Sequence, residues 1–354
     1  MKNQSLLKLA LAASTCVGVA VASLPSGAAT PSKYYGCLAA GALKNISVSA
    51  HACAKGSKAV SGSFAHANFT NANFANANLA GANLSTANLN GVSSGHIASK
   101  PASLPAHWQL LSGYLVGPGA NLTSANLAGI DLSNTNLTNA VLFGANVTGA
   151  NFSGSNLRGA TFFSANLTNA NFTGATLIGV SLSRATLAGT NFTGANFNGV
   201  ISAYVAGTPG TLPTNWQLVD GNFEGNVVAY LVGPGASIGG AQLKGSIFSG
   251  VNLNGIYMPG ANLVGTTFAG ATITNAVMSG SNFQNVDFSN ANMTGTNLSN
   301  SDFEGANFLN ANMTGVNFNG SRLLSVANVA TATFTNAVCP DGVKFETLGS
   351  NCKY

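Results

Sequence analysis

The chain has 354 residues, of which only 6% are charged and 46% are hydrophobic, with 43 glycines and a formal net charge of +5. So few charges exclude a phosphate grip spread over many basic contacts and leave little raw material for acid–base catalysis. Residues 1–29 begin with Lys2 and Lys8, run through apolar Leu9 to Ala22 and finish in Pro25-Ser26-Gly27-Ala28-Ala29. That is the make-up of a secretory signal with a small-residue cleavage context, and cleavage is expected after Ala28 or Ala29, with Ala22 as second choice. The apolar stretch is short for a membrane span, so no stable span is expected after cleavage, and the mature protein is expected to be secreted or at the cell surface. Ala13-Ser14-Thr15 is a poor lipidation context for Cys16, which is expected to leave with the signal.

Residues 30–61 read as an N-terminal cap. Lys33, Lys44, Lys55 and Lys58 make it basic, which would suit an anionic wall polymer or membrane surface, or a simply solvated face. From residue 62 to 335 a period of five takes over. Three blocks, centred on Phe64 to Leu89, Leu122 to Phe197 and Ile238 to Leu323, place Leu, Phe, Ile, Met or Val at every fifth position, in 6, 16 and 18 consecutive repeats. A helix would carry that period round its axis, and a plain strand would flip every second apolar residue outward, because five is odd. A corner after each short strand solves the problem: the central residue and the small one two before it, as in Ala72 and Phe74, then both point inward. Gly or Asn two after each centre from Gly240 to Gly320 suits the φ > 0 position of a type II-like turn. A second period of 20 links Phe152, Phe172 and Phe192, and again Phe248, Phe268, Phe288 and Phe308, so four repeats are expected per coil.

The units Ala82-Asn83-Leu84-Ser85-Thr86 and Ala165-Asn166-Leu167-Thr168-Asn169 resemble the motif of the pentapeptide-repeat family, Ala-(Asp or Asn)-Leu/Phe-X-X. The resemblance covers residues 62–335 apart from two interruptions. It implies an all-β chain folded as a right-handed quadrilateral β-helix, here of about ten coils, and leaves activity open because the family's functions are diverse.

The interruptions, residues 92–119 and 200–235, share a template. Val92, Leu104-Pro105 and Trp108-Gln109-Leu110 correspond to Val200, Leu212-Pro213 and Trp216-Gln217-Leu218, and both inserts end in Tyr-Leu-Val-Gly-Pro-Gly-Ala, at Tyr114 to Ala120 and Tyr230 to Ala236. The second carries eight extra residues around Asp220 to Glu224. Sixteen intervening repeats make four whole coils, so the two loops are expected to leave the same side. Trp108, Tyr114, Trp216 and Tyr230 are the candidate binding residues, as aromatic ledges for a polymer or a partner protein, unless they serve as the packing core of each loop. His96 and His107 occur in the first insert alone and read as ordinary loop residues.

Residues 336–354 read as a C-terminal cap. Cys37 and Cys53 precede the repeats, Cys339 and Cys352 follow them, and a solenoid separates the two ends by far more than the roughly 7 Å a disulfide spans. Cys37–Cys53 and Cys339–Cys352 are therefore expected to staple the caps, each closing a loop of about 15 residues worth about 3 kcal/mol in the chain-entropy model. A metal site on Cys37, His51 and Cys53 lacks a fourth ligand at a recognised spacing, so no metal is expected, and no cofactor is implied.

These features favour a non-catalytic exported structural or adhesive solenoid, a monomer or weak homo-oligomer, touching a cell-surface polymer or protein through insert loops and polar ladders. A DNA-mimic modulator of topoisomerases, a role some pentapeptide-repeat proteins play, would need an acidic shaft. Here Lys100, Arg158, Arg184, Lys244 and Arg322 nearly balance six acids, and no nucleic-acid partner is expected. An ice- or crystal-binding role would use the Asn ladders, which are also simply the repeat motif. A polysaccharide-active enzyme would need paired carboxylates. Asp131, Asp287 and Asp302 stand where the motif has Asn, and Asp220 with Glu224 has no partner base or nucleophile, so no catalytic residue is assigned.

Overall fold

The computed structural model describes residues 64–344, together with a short antiparallel pair formed by β1 (Cys37–Ala39) and β2 (Ala42–Lys44). The expected signal, most of the N-terminal cap and the side chains of Cys37, Cys53 and Cys352 lie outside the described residues. The chain divides into two compact units, Met1–Asn121 and Leu122–Tyr354.

Both units are built from one local event repeated. The residue before each apolar centre forms a parallel bridge with its counterpart 20 residues on, as Asn68 does with Asn88 in the first unit and Asn151 with Asn171 or Asn292 with Asn312 in the second. Leu127 N–H donates to Asn146 O at 2.7 Å, and Asn146 N–H returns to Ala125 O at 2.9 Å. A turn follows each centre: Ala125 N–H donates to Leu122 O at 3.0 Å, and the residue two after the centre sits at positive φ, 57° at Asn169 and 67° at Gly255. Two extended residues and a tight corner make one side, four sides make a coil, and the corner resets the alternation that an odd period would otherwise break.

The corner residues also interlock between coils. Asn134 Oδ1 lies 2.6 Å from where a Cβ on Gly154 would stand, and Asn285 Oδ1 lies 2.5 Å from that of Gly305. An Asn in one coil thus fills the space left by the Gly one coil later.

The core is narrow and aromatic. Phe152, Phe172 and Phe192 stack with ring centroids 4.7 and 5.2 Å apart, and Phe248, Phe268, Phe288 and Phe308 stack at 5.1, 5.2 and 5.5 Å. The expected 20-residue ladders therefore exist as offset stacks, each pair worth about 0.5–1.5 kcal/mol beyond the area it buries. In the first unit Phe64, Phe69 and Phe74 meet edge to face at 5.7 and 5.1 Å. Buried hydroxyls in the small-residue column bond to backbone, except Ser246 Oγ, which has no hydrogen-bond partner among the described residues. Ser281 Oγ accepts from Ala261 N–H and donates to Met258 O, bridging a corner that elsewhere closes directly, and Ser301 does the same for Ser281 and Met278.

On the outside, each motif Asn is spent on the fold. Asn171 Oδ1 accepts from Thr173 N–H at 3.1 Å while its Nδ2 donates to Asn151 Oδ1 at 3.1 Å. Asp131 and Asp287 fill the same role, each accepting from the N–H two residues on and from the amide of the next coil. The pattern loosens near its end, where a 3-10 turn spans Val329–Thr331 and the pairing of Asn312 shifts to Thr333, 21 residues on.

Candidate functional site

Each insert, read from sequence as a loop, is a coil side followed by a β-hairpin. β3 (Gln109–Leu111) pairs with β4 (Tyr114–Val116), and β5 (Gln217–Phe223) pairs with β6 (Asn226–Val232). The eight extra residues of the second insert lengthen each strand by four. Two-residue turns close both hairpins with φ > 0 at each central residue, 46° and 80° at Ser112-Gly113 and 51° and 84° at Glu224-Gly225, the type I′ signature that matches strand twist. A serine latches each returning strand: Ser94 Oγ accepts from Leu115 N–H at 2.8 Å, and Ser202 Oγ from Leu231 N–H at 2.9 Å.

The shared template now has a physical reading. Trp108 N–H donates to Pro105 O and Trp216 N–H to Pro213 O, and the corner residues before them, His107 and Asn215, sit at φ 67° and 66°. This makes His107 a turn residue, as His96 is at 55°. Each indole lies against the first glycine of Val-Gly-Pro-Gly. A Cβ on Gly117 would overlap the Trp108 ring and one on Gly233 the Trp216 ring, so those glycines exist to seat the indoles.

Of the four candidate aromatics, Tyr230 is only 3% exposed, and its hydroxyl accepts from Gln242 N–H at 3.2 Å. Burial pushes its ionisation up, against the Gln242 hydrogen bond. Tyr114 is half-buried over Gly95. Trp108 and Trp216 are half-buried against the core of their own units. Trp216 also meets Phe197 edge to face at 5.0 Å and lines an open hollow of about 570 Å³. Pro213 and Pro234 flank it there, and Asn196, Asn198 and Asn254 contribute to its lining. Those three asparagines escape sequence reasoning because Asn196 and Asn198 flank one centre, Asn254 follows another, and only the fold brings them beside Trp216.

The acidic residues stay apart in role. At Asp302 partial burial pushes the carboxyl up, but Gln284 Nε2 at 2.8 Å, Glu304 N–H at 3.1 Å and Arg322 at 3.2 Å outweigh that and hold it below its ordinary range. At Asp131 the Ser133 N–H leads the lowering, helped by the Ser133 hydroxyl and the Asn151 amide. Among the described residues no group of three or more His, Cys, Asp or Glu is placed to hold a metal, and no helix is long and apolar enough to cross a membrane.

The family model described as pentapeptide repeats matches in 8 copies over residues 63–93, 120–159, 163–201, 246–285 and 281–320. Similar solved structures include HetL, a pentapeptide repeat protein involved in heterocyst differentiation regulation from the cyanobacterium Nostoc sp. strain PCC 7120. It is 21% identical over 80% of this chain and 93% of that one, with a TM-score of 0.25. Full-length QnrB1, a plasmid-mediated fluoroquinolone resistance protein, is 15% identical over 57% of this chain and 90% of that one, with a TM-score of 0.17. A pentapeptide repeat protein from the Arabidopsis thaliana thylakoid lumen is 22% identical over 45% and 69%, with a TM-score of 0.15. At such TM-scores these likenesses carry no argument about function, and no curated protein matches the chain. With the family model matching more than half of its residues and the repeats closing four to a coil, the chain belongs to the pentapeptide-repeat family, whose fold is the right-handed quadrilateral β-helix.

Proposed function

We propose that this is an exported, non-catalytic solenoid that holds a cell-surface polymer through its hairpin inserts. The observation that carries the reading is the hollow beside Trp216, where an indole, two prolines and three side-chain amides share one open surface. Apolar rings beside amide N–H donors suit a hydrated polymer that offers C–H faces and hydroxyls together, although the Asn196 and Asn254 oxygens already accept within the fold. Pentapeptide-repeat proteins are generally non-enzymatic structural or interaction proteins, which is consistent with this role. The polar ladders are the weaker half of the earlier expectation. Their Asn oxygens already accept from backbone and from the neighbouring coil, so little acceptor capacity is left for a ligand. Export rests on residues 1–29, and the cap staples Cys37–Cys53 and Cys339–Cys352 belong to the same proposal. The burial and disulfide-bonded state of Cys339 support the second staple.

The test is a pull-down of the mature protein on purified cell wall and secreted polysaccharide, beside Trp216→Leu and Thr214→Arg. Thr214 is exposed and lines the hollow, so arginine there obstructs it without touching the core. Capture by the wild type that both variants lose supports the reading. Equal capture by all three removes the hollow as the site.

A further inference from the structure

A second surface of the Leu122–Tyr354 unit, remote in chemistry from the hollow, carries an exposed aromatic cluster. Phe143 and Phe163 stack face to face at 5.4 Å and 4°. The Arg184 guanidinium then lies over two rings, 5.8 Å from the Phe163 centroid and 5.7 Å from that of Tyr204, and Tyr204 meets Phe223 edge to face at 6.2 Å. Phe143, Tyr204 and Phe223 are 47%, 39% and 39% exposed. Arg184, Tyr204 and Phe223 line one open hollow of about 400 Å³ with Asn226, Val227 and Val228 of β6.

Two observations say what fits there. The first is charge. Among the described residues the Arg184 guanidinium makes no ion pair and no hydrogen bond, yet its Cζ lies over two rings. The contact uses ring faces and leaves the five N–H donors of the guanidinium unused, which suits a carboxylate rather than a sugar face. The second is an open strand edge. Phe223 and Asn226 flank the two-residue turn as the closing pair of the hairpin, so Asn222, Val227 and Ala229 point their backbone groups away from the partner strand. Asn222 N–H uses this to reach Gln242 O at 3.1 Å, and Ala229 O accepts from Val205 N–H at 3.1 Å. Val227, 76% exposed, meets no third strand among the described residues, and it lines the Arg184 hollow.

We infer that this surface binds an extended acidic–apolar peptide segment of a partner protein. One residue of the segment pairs with the Val227 edge, an aspartate or glutamate meets Arg184, and an apolar side chain lies on Phe223 and Val228. A polysaccharide has no backbone amide to pair with the edge, so the peptide is the better match. This site does not depend on the Trp216 hollow, and Arg184 and Trp216 variants separate the two.

The experiment measures fluorescence anisotropy of a labelled peptide, acetyl-Thr-Val-Glu-Val-Thr-Lys-amide with the dye on the lysine side chain, with the mature protein. Its Gln analogue and polygalacturonate are the comparison ligands. Binding of the Glu peptide is expected, weakened at least tenfold by the Gln exchange, by Arg184→Gln and by Val227→Pro, with no further loss when Arg184→Gln meets the Gln peptide. Melting curves by circular dichroism check that the variants are folded, and the Gln peptide tests the charge without altering the protein. Indifference to the Glu-to-Gln exchange, absence of peptide binding, or Arg184-dependent capture of polygalacturonate alone each overturns the inference.

Discussion

At the scale of single residues, chemically similar positions differ in cost because their neighbours differ in what they can do when a group is removed. Phe288 is fully buried between Phe268 and Phe308, and truncation to alanine leaves a cavity in a ladder pinned by strand pairing. Phe288→Ala should cost about 3–5 kcal/mol in denaturant unfolding. Ser301→Ala removes an equally buried group but should cost less than about 1 kcal/mol, because the Ser281 N–H it accepts can close directly on Met278 O, as Ala125 does on Leu122. Titration follows from the carboxylates. Asp131 and Asp302 have folded-state values below their ordinary ones, so their stabilisation is complete above the usual carboxylate range and is lost as pH falls through the depressed values. The melting temperature should fall on the acid side of that range, and Asp302→Asn should flatten part of the slope. The Arg322 pair itself is exposed and worth at most about 1 kcal/mol.

At the scale of elements, the hairpins are the part that sequence reading left as loops. The period of five declared the coil because its corner chemistry recurs, Gly or Asn after every centre. β3 and β4 span three residues each, too short for any alternation to register, and the turns Ser112-Gly113 and Glu224-Gly225 are recognisable as type I′ only once their φ values are known. The two tryptophans and their glycines could be found as a template, whereas Asn196, Asn198, Asn254 and Arg184 could not, since what sets them apart is the insert folded beside them. Gly221 shows how tightly the long hairpin is docked: a Cβ there would overlap the Gln242 carbonyl, which is backbone and cannot step aside. Gly221→Ala should destabilise the second unit by about 1–3 kcal/mol and raise amide exchange along Asn226–Val232, measured by hydrogen–deuterium exchange.

At the scale of the whole molecule, a coil contacts only its neighbours, so stability accumulates coil by coil and the quantum of change is 20 residues. Within the third block, deleting residues 259–278 should return a folded chain with its Phe ladder one ring shorter. Deleting residues 259–273 should fold less stably, because the four sides after the junction would then stack on the wrong neighbours and Phe288 would leave the Phe ladder. Circular dichroism and melting cooperativity distinguish the two, and equal folding of both deletions would contradict the four-sided coil.

That modularity has a direction. Asn134 fills the space beside Gly154, and Asn285 does so for Gly305, so a Cβ at either glycine would make the amide below it shift, whereas Asn310 stacks over the corner Asn290 with an amide hydrogen bond of 3.4 Å. Coils that look interchangeable by hydrophobic register are therefore not interchangeable in sequence order. A gene reshuffled in whole 20-residue blocks would keep every Phe and Leu inward and still make a corner amide rearrange where a bulkier side chain replaced the glycine over it. The repeats thus store an order as well as a fold, written in the corner residues and invisible in the core.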